Sequence, residues 1–332
     1  MKKLLLLLML MILASVLLTG CGQDESNPSN SSEAEAPTIR VAAMRGPTAL
    51  GLLALMDEHY RGNAVNDYEF TLLGSPDEVP PLLVQGNVDV AVVPGNLAAV
   101  LYNRLEGDVQ ALAVVTLGVL HIVDTTGEIN SVADLAGRTI FSTGQGATPE
   151  FALNYVLTQN GLTPGVDVEI EFRAEPPEIA ALLETGQIEV ALLPEPFLSA
   201  TMARVDGLRI ALDLTEEWDR VQPDYSLIMS VVIARREFLE NNPAAVASFM
   251  QEYAASINFM TTNIPAGARL AEDFELIPNA AIAEAAIPRT NIVFLTGDTM
   301  QRNLMGFYNV LFNAYPASVG GALPGEGFFF IP

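Results

Sequence analysis

The chain repeats itself at an offset of one hundred residues. Pro76-Asp-Glu-Val-Pro-Pro-Leu-Leu-Val-Gln-Gly86 stands against Pro176-Pro-Glu-Ile-Ala-Ala-Leu-Leu-Glu-Thr-Gly186. Val88-Asp-Val-Ala-Val-Val-Pro94 stands against Ile188-Glu-Val-Ala-Leu-Leu-Pro194. Upstream, Gly46 and Thr48 face Gly146 and Thr148, each just after a strand-like run (39–44 and 139–143). The segments 68–74 and 168–174 correspond as well. Register kept without a gap over this distance requires two structurally equivalent halves.

Each half reads as one unit. A β-branched strand enters a Gly-rich turn and a helix. A second strand follows, then a helix starting near Pro76 or Pro176, then a third strand ending in Pro94 or Pro194. Strands alternating with helices predict βαβ units in an α/β fold with parallel-rich sheets. The near-continuous apolar runs 88–93 and 188–193 suit strands covered on both faces. Gly86 and Gly186 are placed to cap helix C-termini.

The halves are not simply in tandem. The apolar run 111–124 is too long for one ordinary strand and can carry the chain from a first lobe to a second. The run 208–214 can carry it back, and 226–234 supplies another strand, so a two-strand hinge is expected. Helices are expected at 243–262, 265–275, 280–287 and 298–314. The Gly/Pro-rich tail from residue 320, ending in Phe328-Phe-Phe-Ile331, is expected to tuck onto a lobe.

The ends carry other signals. Lys2 and Lys3 precede an apolar run, 4–18, too short for a comfortable membrane span. Leu18-Thr19-Gly20-Cys21 closes it and resembles the bacterial lipobox, which implies a signal peptide over 1–20 and acylation of Cys21. Residues 21–37 are polar and without large apolar side chains, as expected of a disordered tether. Both lysines lie in the leader, so the remainder carries 14 arginines against 40 acidic residues, a formal charge near −26. Such a surface repels nucleic acid. Cys21 is the single cysteine, so no disulfide can form.

Ligands of open α/β sheets bind outside the C-terminal ends of strands. The candidates are therefore the loops there. Met44-Arg45-Gly46-Pro47-Thr48 joins the first strand to a helix, offering Arg45 as a fork-shaped cation, Gly46 for close approach and Thr48 near a helix N-terminus. Thr143-Gly144-Gln145-Gly146-Ala147-Thr148 is its counterpart, with Thr148 placed to cap the helix at Pro149. Ser75 ends the second strand. Asn96, Glu195 and Phe197 follow the third strands, Glu195 suiting an amino or amidine group. Thr116 and Gly118 sit in the crossover, and Trp218 and Tyr225 are candidates for stacking, though a core or surface role fits each as well.

Enzyme chemistry finds little to work with. His59 and His121 are the only histidines and have no metal-ligand spacing. The mature chain has no lysine for a Schiff base or a P-loop, and no Gly-x-Ser-x-Gly elbow. No cofactor is expected.

Four strings carry a resemblance. Val88-Asp-Val-Ala-Val-Val-Pro-Gly-Asn96, Ser131-Val-Ala-Asp-Leu-Ala-Gly-Arg138, Leu193-Pro-Glu-Pro-Phe197 and Arg236-Glu-Phe-Leu-Glu-Asn-Asn-Pro243 resemble the nitrate/sulfonate/taurine-binding family of ABC-transporter solute-binding lipoproteins. That family also includes receptors for pyrimidine precursors of thiamine. The resemblance spans about 39–315 and implies the type II periplasmic-binding-protein fold. Lobe I would comprise 38–116 and 213–332, and lobe II 117–212. It further implies a monomer lipid-anchored on the extracytoplasmic face of the membrane, capturing a small anion or zwitterion for an ABC permease and ATPase. A pyrimidine precursor as ligand, or service to a signalling receptor, remains the alternative.

Overall fold

The computed structural model describes residues 37–331, so the leader, Cys21 and nearly all of the expected tether lie outside it. Eleven described strands form two sheets: β1 (Ile39–Met44), β2 (Tyr68–Leu73), β3 (Val90–Pro94), β4 (Val109–Leu117), β5 (Leu120–Asp124), β6 (Thr139–Ser142), β7 (Glu169–Phe172), β8 (Val190–Pro194), β9 (Arg209–Asp213), β10 (Ile228–Arg235) and β11 (Ile292–Leu295). The six-stranded sheet runs β11-β4-β10-β3-β1-β2, and the five-stranded sheet β7-β6-β8-β5-β9.

Apart from the edge strand β11, the two orders are the same. β6, β7 and β8 take the places of β1, β2 and β3, as the repeat requires. In each sheet the repeat unit is parallel, β1 with β2 and β3, β6 with β7 and β8. Beside it lies one antiparallel strand, β10 against β3 and β5 against β8. That strand belongs to the segment that has just crossed from the other sheet. The crossing leaves from the C-terminal ends of the parallel strands, so the arriving strand must run the opposite way.

The repeated residues recur because the same local bonds recur. Gly86 and Gly186 sit at φ 68° and 67°. Each donates its N–H to the carbonyl three residues back, Leu83 or Leu183, and the next residue donates to Leu82 or Leu182. This paired pattern closes a helix C-terminus and favours glycine at its left-handed position. Glu78 and Glu178 work at the other end. The Glu78 carboxylate accepts from the N–H groups of Gly74 and Ser75 at 3.0 and 2.8 Å, and that of Glu178 from Ala174 at 3.1 Å.

The run expected to carry the chain across is broken once, at Gly118-Val119 between β4 and β5. A Cβ on Gly118 would lie 2.2 Å from Thr215 Oγ1, so only glycine lets the two crossings pack together. The return crossing is not a bare strand: β9 ends at Asp213, and a helix, Leu214–Val221, intervenes before β10. Asp213 caps that helix through Thr215 N–H at 2.8 Å and also faces His121 Nε2 at 3.4 Å.

Helices Pro243–Thr262, Ile264–Asp273 and Ala280–Ala286 bring their apolar faces to one core, shared with one face of the six-stranded sheet. A second core holds side chains of the other face, of helix Gly297–Ala314 and of both crossings. Trp218 is wholly buried in it, its ring centroid 5.0 Å from that of Tyr155 and its Nε1 donating to the Tyr225 carbonyl at 2.8 Å. A side chain on Gly306 would collide with the Tyr225 ring at 2.0 Å. Trp218 and Tyr225 therefore pack the fold. The tail docks on β4: Phe328 and Phe329 are buried, and Phe330 N–H donates to Ala111 O at 2.9 Å.

Candidate functional site

A cavity of about 320 Å³ opens between the two sheets at the C-terminal ends of their parallel strands. Its floor is Ser230 and Met229 of β10. Its walls are the strand-end loops of both repeats: Met44, Arg45, Pro47, Thr48, Gly74 and Pro94 on one side, Thr143, Gly144 and Pro194 on the other. Phe197 closes one flank. The repeat places these loops opposite one another because each half delivers the same three strand ends.

Arg45 lines this cavity. It has no ion-pair partner among the described residues, and its N–H is fixed by Leu73 O at 2.9 Å. Gly46, at φ 111°, gives room to the Phe197 ring of the opposite half, whose Cε2 lies 3.2 Å from where a Cβ would be. Thr48 and Gly144 also line it, Thr48 with its hydroxyl turned back to Met44 O.

The other candidates are used elsewhere. Ser75 caps a 3-10 turn, Pro76–Glu78, and its flanking residues Gly74 and Pro76 reach the cavity instead. Thr116 is buried in β4 opposite Ser230. Asn96 is buried; its amide donates to Ser318 O at 3.1 Å and to Gly146 O at 3.3 Å, and it accepts from Thr148 Oγ1 at 3.1 Å. Thr148 is thus the first residue of helix Thr148–Gln159 rather than its cap. Gln145 and Gly146 lie outside the cavity lining. Gly146 N–H is taken by the carboxylate of Glu150 at 2.6 Å, which places a negative charge in the first turn of helix Thr148–Gln159.

Glu195 is wholly buried and fully bonded. Its carboxylate accepts from Ser199 N–H at 3.1 Å, Ser199 Oγ at 2.9 Å and Arg289 Nε at 2.7 Å. A ligand amine cannot reach it without breaking an ion pair, so its expected role passes to other carboxylates.

Those carboxylates are Glu175 and Glu275, which line the cavity and have no ion-pair partner among the described residues. Glu175 occupies the position equivalent to Ser75 in the repeat, so the strand-end rule applied to both halves would have found it. Glu275 follows helix Ile264–Asp273 and has no repeat equivalent. With Met44, Met229, Leu276 and several prolines, the lining is predominantly apolar with one guanidinium and two carboxylates.

Two lobes of one topology, exchanging a strand at each crossing and enclosing a cavity at their strand ends, define a two-lobed α/β fold of the type II periplasmic-binding-protein kind. The chain belongs to the NMT1-like family, whose model matches residues 81–271. Comparison with curated proteins gives no match. Among solved structures, an ABC transporter protein from Parabacteroides distasonis is similar over 89% of this chain and 99% of its own, at 23% identity and a TM-score of 0.74. The periplasmic aliphatic sulphonate binding protein SsuA from Escherichia coli is similar over 90% and 93%, at 14% identity and a TM-score of 0.71. The periplasmic nitrate-binding protein NrtA from Synechocystis is similar over 77% and 69%, at 16% identity and a TM-score of 0.58.

Proposed function

We propose that this protein is the extracytoplasmic solute-binding component of an ABC-type importer. It captures a small polar organic solute, a sulfonate-like anion or a zwitterion, in the cavity between its lobes and delivers it to a permease. The observation that carries the reading is the unpaired guanidinium of Arg45 in a cavity whose walls come from both halves of the repeat. A guanidinium offers paired donors to a sulfonate or carboxylate, and closing the lobes would remove it from water and strengthen the bond. The sulphonate-binding and nitrate-binding proteins that share the fold support the same class of task. The lipobox around Cys21 supports attachment to the membrane surface by a lipid, and no described helix is long and apolar enough to cross a membrane.

A thermal-shift screen of the domain from residue 37 against organic sulfonates, carboxylates, amino-sulfonates and aminopyrimidines tests the reading. A solute at one hundred times its Kd should stabilise the fold by about 2.7 kcal/mol. Small-angle scattering should then show a smaller radius of gyration with that solute bound. An unchanged radius with a tight ligand would remove lobe closure from the mechanism.

A further inference from the structure

Resting on that reading, we propose that Glu275, with Glu175, makes this cavity select a solute carrying a cationic nitrogen on an apolar body, so that a bare anion is a poor ligand. The argument begins with the charges. Among the charged side chains lining the cavity, Arg45 is the one cation and Glu175 and Glu275 are carboxylates, so the site is acidic on balance. None of the three is neutralised by an ion pair among the described residues. The N-terminal end of helix Thr148–Gln159, which could have favoured an anion, already carries the Glu150 carboxylate. A purely anionic solute would meet one favourable group and two repulsive ones.

The carboxylates also stand where a nitrogen could lie between the halves. Glu175 Oε1 belongs to the five-stranded half yet comes within 3.8 Å of the point a side chain on Gly74, in the other half, would occupy. Glu275 lines this cavity and also a second one of about 370 Å³ that shares Phe197 with it. Beside the hydroxyls of Thr48, Thr143 and Ser230, the rest of the wall is mostly apolar, with Met44, Met229, Phe197, Leu276 and prolines that reward an apolar body.

Glu275 allows a test in which folding does not interfere. It has φ 53°, and Glu275 and Leu276 N–H groups donate to Glu272 O and Ala271 O. This is a helix-closing position that glycine fills with least strain. Glu275→Gly should therefore fold with a Tm at or above that of the parent while losing the carboxylate.

The probes are 8-aminooctanoate, octanoate and octylamine, which share a chain and differ in charge. Calorimetry on the parent protein should give 8-aminooctanoate or octylamine at least about tenfold tighter than octanoate, the effect of one charge-assisted hydrogen bond in a closed site. Glu275→Gly and Glu275→Gln should lose most of that preference, the amines binding more weakly and octanoate no more weakly than to the parent. Octanoate binding as tightly as the two amines, or a preference that survives both variants, would overturn the proposal while leaving solute capture intact. Should none of the three bind, the proposal falls too, and the wider solute screen decides the question of solute capture separately.

Discussion

The carboxylate of Glu195 at the end of β8 is bonded at 2.7 Å to Nε of Arg289, which precedes β11 of the other sheet. The pair spans the two halves on the flank of the cavity. Glu195 is wholly buried and the Arg289 side chain 40% exposed. Removing the arginine strands a buried carboxylate, whereas removing the carboxylate frees an arginine that can turn to water. Arg289→Met should therefore cost more than Glu195→Gln. Breaking a buried pair costs about 3–5 kcal/mol, which partial exposure of Arg289 reduces to roughly 1–3. Urea denaturation of both variants measures it; equal stability of Arg289→Met and the parent would mean the pair holds nothing.

Arg45 and Arg61 give a matched comparison in binding. Arg45 lines the cavity without a partner, while Arg61, just past the end of helix Leu53–Tyr60, pairs at the surface with Asp57 four residues back. For a sulfonate or zwitterion found in the solute screen, Arg45→Ala should weaken binding by about 1.5–3 kcal/mol, or roughly ten- to a hundredfold. Arg61→Ala should change it by less than about 0.5 kcal/mol. Comparable affinities for the two variants, both folded, would remove Arg45 from the site.

Gly118 and Thr215 pack the two crossings against each other. A Cβ at 118 would lie 2.2 Å from Thr215 Oγ1 and 2.9 Å from its Cβ, so trimming only the hydroxyl does not make room. Gly118→Ala should cost about 1–3 kcal/mol, as overpacking does. Adding Thr215→Gly should recover part of that loss beyond the sum of the single effects. A strictly additive double variant would show that the strain lies in the backbone of Gly118 and not in this contact.

The same hinge carries a pH signature. Burial pushes the Asp213 carboxyl up, but the hydrogen bond and charge of His121, with the amides of Thr215 and Glu216, outweigh it and hold the group below the usual carboxylate range. A carboxyl depressed in the folded state stabilises the fold above its unfolded pKa, about 3.9, and that contribution is lost as pH falls through the lower folded value. Asp213→Asn should therefore cost stability at neutral pH and narrow its gap to the parent below about pH 4. A gap of constant size from pH 7 to pH 3 would show that Asp213 acts through its shape as a cap alone.

The amino-acid sequence by itself determined the two equivalent halves, their strands and the loops that meet. These rest on local signals: near-continuous apolar runs, Gly86 and Gly186 at helix ends, and Glu78 and Glu178 bonding N–H groups within four residues. The strand-end rule also put Arg45, Thr48, Gly144 and Phe197 on the cavity wall, because the ends of parallel strands converge wherever two such sheets face each other. Only the tertiary structure decided which polar groups stayed free. Glu195 and Asn96 read as ligand residues until partners about a hundred or more positions away, Arg289 and Ser318, consume their hydrogen bonds. Glu275 and Met229 reach the cavity from segments outside the repeat, brought there by the return crossing and by helices that share the apolar core of the six-stranded sheet. A hydrogen-bonding group carries no mark in the sequence of whether its partner will be a distant residue or a solute, since that depends on which apolar faces are buried together.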